Sequence, residues 1–102
     1  MELNISMITR SLQDNSVTVK SLVAQLTDYE WEDDTFFCAG KFDFTFAKEV
    51  NIVAELTDSK FKNFGIIHST IGINSPYFDL VWRNVPMGNR NFKVNCMILY
   101  FH

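Results

Sequence analysis

Residues 35–46, TFFCAGKFDFTF, carry the clearest alternation in the chain. Phe36, Cys38, Phe42, Phe44 and Phe46 share one parity with Gly40 as the only gap, while Thr35, Phe37, Ala39, Lys41, Asp43 and Thr45 share the other. Successive side chains of a strand point to opposite faces, so this register makes one phenylalanine face and one mostly polar face. A helix would scatter the rings around its circumference. The pattern predicts a strand whose Phe face needs a second layer to cover it.

The same alternation recurs along the chain. Leu3, Ile5 and Met7 alternate with Glu2, Asn4 and Ser6, predicting a first strand that reaches about Leu12. Gln13, Asp14, Asn15 and Ser16 supply turn chemistry for a hairpin loop. Val17 and Val19 begin the next run, which resumes on the other parity at Leu22, Ala24 and Leu26. A phase change near Lys20 and Ser21 predicts a β-bulge. Leu22, Val23, Leu26 and Tyr29 also fit helical spacing with Ser21 as a cap, so residues 21–30 read as strand first and short helix second. Further strands are predicted around residues 50–57, 61–73, 77–85 and 92–101. The last carries apolar residues on both parities, as a strand covered on both sides does. About seven mostly antiparallel strands result, so the fold class is all-β, in a sandwich or small barrel.

Composition narrows this. The 102 residues, 47% hydrophobic with ten Phe, make a single domain over residues 1–102 with enough apolar material for its own core. The net charge of −3 is uneven: residues 1–40 hold seven acids against two bases, and residues 41–102 hold five acids against seven bases. Direct nucleic-acid binding is disfavoured by that acidic first half, which suits a basic protein partner better. Cys38 and Cys96 are too few for a disulfide framework and read as buried thiols. The start, MELNISMITR, lacks the basic and apolar regions of a signal peptide, and no apolar run is long enough for a membrane helix. The expectation is a cytoplasmic protein with no membrane contact.

The distinctive surface candidate is DYEWEDD: Asp28, Tyr29, Glu30, Trp31, Glu32, Asp33 and Asp34. No basic residue lies between Lys20 and Lys41. Extended, the stretch puts Asp28, Glu30, Glu32 and Asp34 on one parity and Tyr29, Trp31 and Asp33 on the other. As a recognition loop it offers aromatic anchors and carboxylates that steer a basic partner. The plainer reading is a solvated loop whose aromatics fold back onto the core. A calcium loop would need a glycine and a closing glutamate that DYEWEDD lacks, so no metal and no cofactor are expected. Catalytic constellations are thin: His68 could pair with Cys38, Cys96 or a carboxylate, but a hydrogen-bonded structural histidine is the simpler expectation, and the chain reads as not an enzyme. Arg83, Arg90 and Lys93 form a second, basic patch. The Phe row could instead line a cavity for an apolar ligand, beside Phe42 and Phe44.

In size, acidity and the DYEWEDD stretch the chain resembles the small acidic immunity proteins that neutralise bacterial toxins, such as those of contact-dependent growth inhibition systems, and the small inhibitors carried by phages. The resemblance implies a protein-binding inhibitor whose carboxylates occlude the basic cleft of a cognate toxin, such as a nuclease. A small β-barrel for an apolar ligand and a phage or structural assembly protein are the alternatives.

Overall fold

A computed structural model describes residues 2–58, 60, 63–85 and 92–101. It contains eight strands and, among the described residues, no helix: β1 (Glu2–Arg10), β2 (Val17–Leu22), β3 (Ala24–Glu32), β4 (Thr35–Phe42), β5 (Val50–Asp58), β6 (Asn63–Ile71), β7 (Tyr77–Trp82) and β8 (Phe92–Phe101). They form a five-stranded sheet in the order β2-β1-β8-β5-β6 and a three-stranded sheet in the order β3-β4-β7, packed as a sandwich. Every ladder is antiparallel save one: β1 runs parallel to β8 from Glu2↔Lys93 to Arg10↔Phe101.

The expected first hairpin forms, closed by Ser11 N–H to Ser16 O at 2.9 Å and Asn15 N–H to Ser11 O at 3.0 Å. Asn15 takes a φ of 59°, a conformation Asn tolerates better than most residues. Asp14 Oδ1 accepts the Ser16 N–H at 3.0 Å, and that bond holds the Asp14 carboxyl below its ordinary pKa.

The phase change in the second run has a different cause from the bulge expected at Lys20–Ser21. The run from 17 to 32 is two strands, not one, which raises the count from about seven to eight. β2 pairs with β1 in the larger sheet, and after the single exposed residue Val23 the chain enters the smaller sheet as β3. Leu22, opposite the buried Ile5, and Ala24 and Leu26 on β3 all pack on the core, so the inward parity carries through the transfer; Val17 and Val19, exposed, stand on the outer face of β2. A true register shift does occur, between Leu26 and Asp28, with Thr27 as the extra residue.

Strand β4 buries Phe36, Cys38 and Phe42 on one face as its alternation requires. Gly40, the gap in that row, pairs with Phe78, whose ring occupies the space a Cβ at Gly40 would need. The strand stops at Phe42, four residues short of the expected end. Its neighbour β7 begins at Tyr77, and Pro76 has no N–H to extend the ladder; Phe42 N–H to Pro76 O is the last bond, at 3.0 Å. Residues 43–49 then arch over the core. The Phe42 ring lies 5.3, 5.9 and 5.2 Å from those of Phe44, Phe46 and Phe78.

The remaining inward faces follow their alternation: Val50, Ile52, Ala54 and Leu56 on β5, Phe78, Leu80 and Trp82 on β7, Val94, Cys96 and Ile98 on β8. β6 covers 63–71 and β7 ends at Trp82, both shorter than expected; Phe61 and the loop at 86–90 lie outside the described residues. β8 differs more. Its second face is not covered, leaving Met97 38% and Phe101 47% exposed. Where β6 and β7 meet, no ladder forms, and the sheets are joined by Trp82 Nε1–H to Gly65 O at 3.1 Å and Ser69 Oγ–H to Asp79 O at 3.4 Å.

Cys38 and Cys96 sit inside this core as free thiols. Burial pushes each thiol up to about 12, with Asp79 adding to the shift of Cys38 and Cys38 to that of Cys96. Unfolded, both titrate near the ordinary 9.0. Above that pH the unfolded chain has lost thiol protons that the folded chain keeps, so stability is intact below pH 9 and falls as pH rises towards 12. The slope for each thiol is about 1.4 kcal/mol per pH unit. Urea midpoints measured at pH 8 and 10.5 should drop accordingly, and Cys96→Ala should flatten the drop; a midpoint that falls equally in that variant would assign the loss to other groups.

Candidate protein-binding surface

The seven acidic-stretch residues are not a loop. Asp28, Tyr29, Glu30, Trp31 and Glu32 belong to β3, and only Asp33 and Asp34 form the turn into β4. Asp33 adopts a φ of 53°, which Asp accepts at modest cost, and Asp34 O takes the Val85 N–H at 2.8 Å. β3 continues because Leu26 and Trp31 still have a core to face, the bulge at Thr27 resetting the parity between them.

The expected parity holds over Asp28–Glu32, the part of the stretch that lies in β3. Asp28, Glu30 and Glu32 pair with Ala39, Phe37 and Thr35 on the outer face of the three-stranded sheet, all three exposed. Neighbouring carboxylates on that face are two residues apart, about 6.5–7 Å along the strand. Among the described residues no ion pair reaches Asp28, Glu30, Glu32, Asp33 or Asp34. Arg83 is exposed and makes none with them, and Arg90 lies outside the described residues.

The two aromatics part company. Trp31 is half-buried, its ring 4.7 Å from Phe36 and 5.3 Å from Phe92. It packs against the core from a half-buried position. Tyr29 shares the inward parity, opposite Cys38, but lies on the sheet edge and remains 55% exposed. Phe37 on β4 and Val81 on β7 pair directly, with Glu30 on the far side of Phe37. Val81 is 38% exposed, and a hollow bounded by Thr27, Phe37, Ala39, Tyr77 and Asp79 adjoins it. The face is therefore an apolar centre with carboxylates at Asp28, Glu30, Glu32 and Asp79 around it. Sequence reasoning missed Phe37, although it was the one aromatic on the polar parity of its strand.

The thiol–histidine pair does not assemble. Cys38 and Cys96 are sealed in the core, whereas His68 is exposed on β6. Nor is it a hydrogen-bonded structural residue: no bond reaches its imidazole among the described residues. His68 and Asp79 line one hollow at the β6–β7 seam without a hydrogen bond between them. Among the described residues no three metal-ligating side chains cluster. No family model, curated protein or solved structure matches the chain.

Proposed function

We propose that this chain is a protein-binding inhibitor that offers the outer face of β3, β4 and β7 to a cationic partner, acting as an immunity protein does when it occludes the basic cleft of a toxin such as a nuclease. The observation that carries this reading is the row Asp28, Glu30 and Glu32, exposed and without an ion pair among the described residues. A strand presents those charges in fixed spacing. Less ordering entropy is then lost on binding than a mobile acidic loop would lose. Phe37 and Val81 on that face, with Tyr29 at its edge, supply the apolar and aromatic contact that holds a complex once charge has steered the encounter.

The test is kinetic. The chain is paired with the product of the neighbouring open reading frame and association is followed by stopped flow. The rate is expected to fall on the order of 10–10³-fold between low and high salt. Glu30→Lys with Glu32→Lys should slow it similarly at low salt, while leaving dissociation nearly unchanged. An association rate indifferent to both charge reversals removes this face from the interface.

A further inference from the structure

The opposite side of the molecule holds a carboxylate of another kind. On the outer face of the five-stranded sheet, Asn4, Asn95, Glu55 and Ile66 lie in one row across β1, β8, β5 and β6. Asn4 Nδ2–H donates to Asn95 Oδ1 at 3.2 Å, Asn95 Nδ2–H to Glu55 Oε1 at 3.1 Å, and Asn63 Nδ2–H to Glu55 Oε2 at 3.1 Å. Two neutral amides from neighbouring strands thus fix both oxygens of one half-buried carboxylate. Among the described residues no lysine or arginine pairs with it.

Glu55 lies in a hollow of about 340 Å³ lined by Ser6, Val53, Ile66, Asn95 and Met97. Ile66 is 58% and Met97 38% exposed, so the apolar walls are open to solvent. A carboxylate has about four lone-pair sites, two on each oxygen. The amides use one on each, leaving one on each. Two parallel N–H donors of a guanidinium fit that remainder, whereas an ammonium is a point donor that engages it less completely. The walls suit an aliphatic stem, and a long cationic side chain buries its methylenes while its charge seeks a partner.

We infer that this hollow is a receptor for the arginine side chain of a protein partner, with Glu55 taking the guanidinium as a fork and Val53, Ile66 and Met97 packing on the stem. The inference is independent of the acidic face on the other sheet. A ladder that served only to stitch four strands together would bind nothing and would answer only in stability.

The experiment titrates the isotope-labelled full chain with N-butylguanidinium, N-butylammonium and the neutral N-butylurea while recording side-chain amide and methionine methyl spectra. Saturating shifts of the Asn63 and Asn95 side-chain amides and of the Met97 methyl are expected with butylguanidinium. The dissociation constant should be on the order of 1–10 mM, the range open to so small a ligand. Butylammonium should bind several-fold more weakly and butylurea not measurably. Capped Gly-Arg-Gly should bind at least as tightly as butylguanidinium. Glu55→Gln should weaken binding about tenfold or more while the backbone spectrum is retained; should that variant not fold, Glu55→Asp, which withdraws the charge by one methylene, is expected to show a similar loss. Non-saturating shifts, equal binding of butylurea or butylammonium, exclusion of the tripeptide, or indifference to the variants would each overturn the assignment.

Discussion

Ending the chain after Asn95 is expected to leave an insoluble product. Six of the seven residues lost belong to β8, which lies between β1 and β5 in the middle of the larger sheet. Six of the nine β1–β8 rungs go, from Ile5↔Cys96 to Arg10↔Phe101, together with four of the eight β5–β8 rungs. Ile98, wholly buried, leaves the core with them. Each fully buried large apolar side chain contributes about 1.5–3 kcal/mol, and the whole domain has only about 5–15 kcal/mol to lose. The truncation also bares two strand edges with apolar faces, a template for aggregation. Partition between pellet and supernatant after expression gives the answer; a soluble truncation with a cooperative melt would show that the lost half is peripheral.

The second large effect is expected at Trp82. Its side chain is 1% exposed, its ring lies 5.9 Å from Phe36, and its indole N–H reaches across the open seam to Gly65 O. Gly65 has a φ of 124°, which residues with a side chain rarely adopt. Trp82→Ala should lower unfolding free energy by about 3–5 kcal/mol, the range for removing a buried large aromatic. Trp82→Phe separates the contributions: it keeps a ring but removes the part-buried bond to Gly65 O, at a cost of about 0.5–1.5 kcal/mol. Urea denaturation curves of the two variants measure this. A loss below about 1 kcal/mol for the alanine variant would mean that the seam is not held by Trp82.

The fold class was legible because period-two alternation survives in nearly every strand. Phe36, Cys38 and Phe42 on β4, and Phe78, Leu80 and Trp82 on β7, face inward as their parity predicts. What alternation cannot carry is the identity of a strand's neighbour. The parity change between Val19 and Leu22 was visible, but a bulge and a switch from outward-facing to inward-facing apolar residues look alike in sequence, and the unbroken β1–β2 register makes it the latter. The apolar outer face of β8 was visible too; its lack of cover depends on what lies above it, which no local pattern states. At the acidic stretch, five carboxylates in seven residues resemble a loop by composition. Trp31 and the pairing strand residues 35–39 hold it as strand instead. Glu55 gave no sequence signal, since its amide partners come from positions 8 and 40 residues away.

The parallel ladder between β1 and β8 sets an order of events during synthesis. β8 follows every strand it joins, so the gap between β1 and β5 stays open until Phe92–Phe101 have left the ribosome. Through that interval two ribbons of unpaired amides and carbonyls, flanked by Ile5, Ile52 and Leu56, wait for a partner from far along the chain. Such distant pairing closes slowly, and until it does both bare edges can pair with other chains.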